Sequence, residues 1–70
     1  MKIGDLVNIK QFRTTVTPMT ERFGGCFGFI TEVKSDYERY EMVYYMVYLF
    51  DRDREYLFKD FEVERIKEQK

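Results

Sequence analysis

The stretch that most constrains this chain is MVYYMVYLF at positions 42–50, nine consecutive apolar or aromatic residues in a sequence of 70. Val and Tyr favour the pleated surface of a strand over a helix, so the stretch predicts a central β-strand. A strand that lies on one small core needs apolar side chains only at alternate positions. Because both sets are apolar here, we expect both sides of this strand to be covered.

The length and the missing residue types favour one small domain, residues 1–70, of low stability. At about this size, folding hides only around 60% of the surface that the unfolded chain exposes. Cys26 is the only cysteine and there is no histidine, which excludes an internal disulfide and a Cys/His zinc site. Association between subunits is another common way to stabilise such a chain.

The charges are nearly balanced, with 12 basic against 13 acidic residues and a net charge of −1. A general nucleic-acid binder usually carries a basic excess, because affinity comes largely from the phosphate backbone. The first residues do not form a secretory signal, and an apolar run of nine is far shorter than the roughly 20 residues that span a bilayer. We therefore expect no membrane partner and a cytoplasmic location, in the host cytoplasm if the gene is carried by a phage.

Alternating apolar residues and turn residues predict five short strands. They cover residues 3–9, 26–34, 42–50, 55–58 and about 61–66. In the first strand, Ile3, Val7 and Ile9 are predicted to point the same way. Gly28 predicts a bulge, a bend or a close backbone approach in the second strand.

Two segments are less regular in their pattern. Residues 10–25 contain Pro18 and a glycine pair, which predicts a long irregular connection that is functional or partly ordered. Residues 51–54 predict a charged hairpin turn. For residues 59–70 a helix is the alternative to a strand, because Phe58, Phe61 and Arg65 would share one helical face.

Four strand segments carry a family resemblance: KIGDLVNIK, GFITEV, YMVYLF and FEVERI. They resemble the strand signatures of SH3-like small barrels, in particular short phage-type proteins of the pattern K-x-G-D-L-V and G-x-I-x-E-V. The resemblance implies an all-β fold, a five-stranded SH3-like small barrel with a long loop after the first strand. Phe61 stands where that pattern usually has Leu. The conventional SH3 peptide groove uses a tryptophan, and this chain has none.

The residue inventory argues against catalysis. General acid–base work near neutral pH commonly uses His, and Cys26 has no His to activate it. Asp51, Asp53, Glu55 and Glu62 match four positions of a calcium-loop template, but a tyrosine occupies the position that needs Gly for the sharp turn. We therefore expect no enzyme, no catalytic residue, no metal and no cofactor.

The alternation within residues 42–50 divides the strand into two sides. The side predicted to point inward consists of Tyr45, Val47 and Leu49. The side predicted to point outward consists of Tyr44, Met46, Tyr48 and Phe50. The loop could cover the outward side with Phe12, Val16, Met19 or Phe23. Otherwise such an apolar stripe usually marks an interface, which predicts a non-catalytic binding or assembly module that self-associates or docks on a protein.

The alternative function is a nucleic-acid-binding small barrel. Its contacts would come from the basic residues Lys10, Arg13, Arg22 and Lys34. Tyr37 and Tyr40 lie in a polar turn and are candidates for exposed rings that stack on a ligand. The acidic second half of the chain works against this alternative, because it would repel phosphates.

Overall fold

The computed structural model of the protein describes residues 1–36 and 42–66, which form one antiparallel sheet and a short helix. The elements are β1 Leu6–Ile9, α1 Pro18–Phe23, β2 Phe27–Asp36, β3 Met42–Leu49, β4 Arg54–Lys59, a 3-10 helix Asp60–Glu62, and β5 Val63–Arg65. The strand order is β4-β3-β2-β1-β5. This architecture confirms the prediction of an all-β, five-stranded, small barrel-like fold.

The core lies on the inner face of the curled sheet. Its buried members are Val7, Ile9, Phe23, Ile30, Tyr45, Val47, Leu49, Phe58 and Val63. In β3 the prediction of inward-pointing residues is confirmed, because Val47 and Leu49 are 0% exposed and Tyr45 is 8% exposed. Alternate residues of one strand therefore supply three of the nine buried hydrophobic residues of the core.

Gly28 marks a close backbone approach between β2 and β3, one of the three outcomes that the sequence predicted. A Cβ at this position would lie 2.0 Å from the Tyr48 carbonyl oxygen. No side chain fits there unless the strands separate. The absence of a side chain at Gly28 thus allows β2 and β3 to curve closely together.

The irregularity of β2 lies at Thr31, three residues further along the strand. Ile30 pairs with Val47, but Glu32 pairs with Met46, so one residue of β2 is left over. Such a bulge reverses the inward and outward alternation beyond it. The Thr31 hydroxyl lies 3.2 Å from both the Met46 carbonyl oxygen and a Glu55 carboxylate oxygen, and it donates its proton to one of the two. The bulge therefore turns Glu32 outward, beside Met46.

The connection between β1 and β2 contains a helix where the sequence predicted an irregular segment. Thr17 caps α1: its hydroxyl accepts from the Thr20 amide, and the Thr20 hydroxyl accepts from the Thr17 amide. Pro18 stands in the first turn, where its missing N–H costs nothing. Pro18, which the sequence predicted to interrupt an irregular loop, thus begins a helix.

The two ends of the chain also differ from their predictions. β1 begins at Leu6, after Gly4 turns the chain with a φ of +92°, so Ile3 is 64% exposed and contributes nothing to the core. Near the other end, Phe61 belongs to the 3-10 helix and is exposed, while Val63 begins β5. Residues 67–70 lie outside the described residues. Within the described part of the chain, no helix is long and apolar enough to cross a membrane.

Candidate protein-binding face

The side of the sheet opposite the core is rich in apolar and aromatic residues. Cross-strand pairing brings Leu6 next to Phe29, Phe29 next to Tyr48, and Met46 next to Leu57. We call this surface the outer face. Its apolar members are Leu6, Phe27, Phe29, Tyr44, Met46, Tyr48, Phe50 and Leu57. The four residues that the sequence placed outward in β3 and just after it all belong to this face.

Three aromatic rings form the centre of one half of the outer face. The ring centroid of Phe29 lies 5.5 Å from that of Tyr48 and 5.8 Å from that of Phe50. Tyr48 and Phe50 stand nearly edge to face at 6.1 Å. The Phe50 amide donates to the Phe27 carbonyl oxygen at 3.0 Å, which attaches the start of the turn to β2. The rings are therefore fixed by paired backbone.

The outer face is open to solvent around this cluster, in which Phe50 is exposed while Phe29 and Tyr48 are half-buried. Phe27 and Phe50 are each 53% exposed, which corresponds to roughly 100 Å² of apolar area per ring. Leu6 and Leu57 are exposed to a similar degree. The whole apolar surface is then on the order of 400 Å², within the range of about 300–600 Å² that often marks a functional patch.

The β1–β2 loop covers the inner side of the sheet far more than the outer face. The Phe23 ring packs on Tyr56 and Phe58 at 4.5 and 5.8 Å. Phe12 is exposed. The loop approaches the outer face at one end, where a groove of about 370 Å³ forms. Its lining consists of Val16, Thr17, Pro18, Met19, Tyr44, Leu57, Lys59 and Glu62. The predicted internal cover therefore approaches Tyr44 and Leu57 from one side and does not extend to Phe50, which is exposed.

A buried carboxylate fixes the loop in this position. Glu62 is 2% exposed, and its two oxygens accept hydrogen bonds from the Thr17 hydroxyl and, at 2.8 Å, from the Lys59 amide. A buried carboxylate is tolerated when it is fully hydrogen-bonded in this way. Glu62 thus connects the start of α1 to the end of β4 and fixes one wall of the groove.

Tyr48 has an altered acidity because of its neighbour in the β3–β4 turn. Its hydroxyl donates a hydrogen bond to the Asp53 carboxylate. This hydrogen bond, with partial desolvation and the negative charge of Asp53, raises the pKa of Tyr48 above its ordinary value of 10.0. Tyr48 therefore keeps its proton over the physiological pH range.

The basic residues of the nucleic-acid alternative are distributed over different sides of the molecule. The Arg22 guanidinium lies 5.4 Å from the Phe23 ring centroid, at the inner end of the barrel, and Arg52 joins it at 5.6 Å. Lys34 lies on the outer face, opposite Tyr44. Arg13 is exposed in the turn before α1, and Lys10 is partly buried. The structure does not bring these residues together on one surface, and no sequence pattern indicated Arg52.

Two further candidates from the sequence have clear outcomes. Tyr37 and Tyr40 lie outside the described residues. Of the calcium-template residues, Asp53 accepts from Tyr48 and Glu62 is buried against the loop, so the template residues do not converge. Among residues 1–36 and 42–66 there is no group of three His, Cys, Asp or Glu side chains that could bind a metal ion.

The outer face was partly predictable from the sequence. The pattern of residues 42–50 identified its β3 members, while Leu6, Phe27, Phe29 and Leu57 join them only through strand register.

Comparisons with protein-family models, with curated proteins and with solved structures found no match to this chain. The resemblance to SH3-like phage-type proteins therefore stays a prediction.

Proposed function

We propose that this chain is a non-catalytic binding or assembly module that contacts protein through its outer face. The observation that carries the proposal is the aromatic cluster of Phe29, Tyr48 and Phe50 on the outer face, whose Phe50 ring is 53% exposed. Aromatic side chains are enriched in the buried centres of protein interfaces, where they often supply most of the binding energy.

The energetics favour a covered outer face. Burial of about 400 Å² of apolar surface contributes on the order of 10 kcal/mol before entropic costs, at about 25 cal/mol per Å². The whole stability of a small domain is typically about 5–15 kcal/mol. Phe29 and Tyr48 lie on paired strands, and the Phe50 amide bonds to β2, so little backbone freedom is lost when the rings bind. A rigid apolar surface of this size is better suited to docking than to remaining in water.

Site-specific photo-crosslinking tests this proposal. A photoreactive phenylalanine analogue replaces Phe50 in one variant and Glu21, an exposed residue of α1, in a control. Both variants are irradiated in the cells that naturally make the protein. We expect a discrete protein adduct from position 50 and a much smaller yield from position 21. Equal yields at the two positions would contradict the proposal, whatever the identity of the adducts.

A further inference from the structure

The outer face has opposite charges at its two ends. Tyr44 lies between two lysines, Lys34 of β2 on one side and Lys59 of β4 on the other. The Lys59 ammonium lies 5.8 Å from the Phe61 ring centroid, which favours its position at this end. The Glu62 carboxylate lines the same groove but is buried, so the exposed charges of this end, those of the two lysines, are positive.

The other end of the outer face is negative. Tyr48 pairs with Glu55 across β3 and β4, and its hydroxyl reaches Asp53. Met46 and Leu57 pair with each other halfway between the two ends. From the positive to the negative end, the outer-face residues of β3 form a row of positions 44, 46 and 48. Those of β4 form a parallel row of positions 59, 57 and 55. Both rows have their midpoint at the same cross-strand pair.

We propose that the partner of the outer face is a second copy of this chain, stacked face to face about a two-fold axis that crosses β3 and β4 at Met46 and Leu57. The proposal rests on the proposed function, because it names the occupant of that same face. A two-fold contact requires a patch that is complementary to itself. A patch with opposite charges at equal distances from an apolar midpoint has this property.

The axis defines which residues meet. The axis lies between the two stacked sheets and is perpendicular to their strands. A rotation of 180° about it therefore places each strand over the same strand of the second copy, running in the opposite direction. Lys59 then faces Glu55 of the second copy, and Tyr44 faces Tyr48 of the second copy. Met46 and Leu57 meet their own equivalents at the centre. Each dimer gains two equivalent Lys–Glu contacts at the rim of an apolar centre, as interfaces usually have.

On β2 the same axis brings one favourable and one unfavourable contact. Lys34 faces the ring of Phe29 in the second copy, an arrangement suited to a cation–π interaction. Glu32, which the Thr31 bulge turns outward beside Met46, approaches its own equivalent. Lys34 lies two residues along on the same face and offsets this repulsion. The contact is therefore strongest over β3 and β4.

The area of the face is consistent with a modest affinity. A stable interface buries about 800 Å² per partner, and the apolar surface supplies about half of this. Charged side chains at the two ends would supply much of the rest. We expect a dimer that dissociates in the micromolar range, so its monomer–dimer equilibrium is accessible to sedimentation.

Charge reversal tests the axis directly. Glu55→Lys alone and Lys59→Glu alone each place like charges at both rim contacts, and we expect each to weaken dimerisation by about tenfold. An equimolar mixture of the two variants restores opposite charges at both contacts, so we expect a heterodimer as tight as the wild-type dimer. The double variant in one chain should also dimerise normally. Sedimentation equilibrium over micromolar concentrations gives the dissociation constants.

Matched controls separate the axis from a general effect of charge. Glu21→Lys and Arg13→Glu make the same changes in net charge at exposed positions away from the outer face, and we expect less than a twofold effect. Urea unfolding of each variant shows whether it is folded. If a reversal variant unfolds, Glu55→Gln and Lys59→Gln replace the pair, each with an expected loss of about threefold.

Two outcomes would overturn the second-copy proposal. One is a wild-type protein that stays monomeric at every concentration, and the other is a mixture that dimerises no better than its components. A monomer that still gives a crosslink from position 50 to a different protein would contradict the dimer proposal and leave the proposed function intact. Absence of both dimer and crosslink would remove both proposals.

Discussion

The two sides of β3 carry side chains of similar size and apolarity, yet their environments differ completely. Val47 and Leu49 are fully buried on the inner side, while Tyr48, between them in sequence, remains partly exposed beside a half-exposed Phe50. The difference lies in what the rest of the chain places against each side. Helix α1 and four other strands converge on the inner side, and one end of a loop touches the outer side. The apolar character of a strand therefore predicts that both of its sides need to be shielded from water. It does not predict whether the same chain or a partner shields them.

Neighbouring truncations on the two sides give the largest expected effect. Leu49→Ala removes buried methyl groups from the core and should lower the free energy of unfolding by about 3 kcal/mol. Phe50→Ala removes a larger side chain from the outer side, yet should cost less than about 1 kcal/mol in the monomer, because that ring is half in water. Urea denaturation at a concentration below dimerisation measures both. Equal losses would mean that the two sides are not different in the folded monomer.

The β1–β2 loop packs mainly on the inner side of the sheet, and the buried Glu62 carboxylate fixes its position. Glu62→Ala leaves the Thr17 hydroxyl and the Lys59 amide without their acceptor, so we expect a loss of about 2 kcal/mol in the free energy of unfolding. Glu64→Ala, an exposed glutamate two residues later in β5, is the control and should change the stability by less than about 0.5 kcal/mol. Thermal unfolding of the two variants side by side makes the measurement. A neutral Glu62→Ala would show that the loop is attached by its apolar contacts alone.

The smallest expected effect concerns the pKa of Tyr48 on the outer face. The hydrogen bond to Asp53 favours neutral Tyr48, so the folded-state pKa of Tyr48 is raised above 10.0. The resulting stabilisation is fully present below that pH and is lost as the pH rises through the folded-state pKa. Asp53→Asn removes the charge and should move the Tyr48 titration to lower pH. Tyrosinate absorbance gives the titration, with Tyr48→Phe to assign it, and an unchanged curve in Asp53→Asn would contradict the Asp53 contact.

The sequence predicted the fold class because its strongest signals are periodic. Alternation and β-branched or aromatic residues identified β3 and the direction of Tyr45, Val47 and Leu49, and this part is confirmed. Helix α1 was missed because six residues give too short a period to recognise. The Thr17-Pro18 pair was its one visible signal, since a capping threonine before a proline is typical of a helix start.

Features that depend on register could not be predicted. The bulge at Thr31 leaves only one trace in the sequence, the three-residue spacing between Ile30 and Val33, both of which pair with inward-pointing residues of β3. Strand pairing, rather than any local pattern, brings Leu6 and Phe29 to the outer face beside Tyr48. The buried role of Glu62 depends on a threonine 45 positions away in the chain. Such contacts are long-range and carry no local signature.

The contact between Glu62 and Thr17 also fixes an order of events during synthesis. Strand β5 pairs with β1, and Val63 lies opposite Ile9, so the first strand gains its second neighbour only from one of the last described elements. A nascent chain that has not yet released residues 62–66 from the ribosome has neither the anchor for α1 nor the closing strand. Until residues 62–66 emerge, the inner side of its most apolar strand lacks part of its cover, and exposed apolar strands of this kind are prone to aggregate.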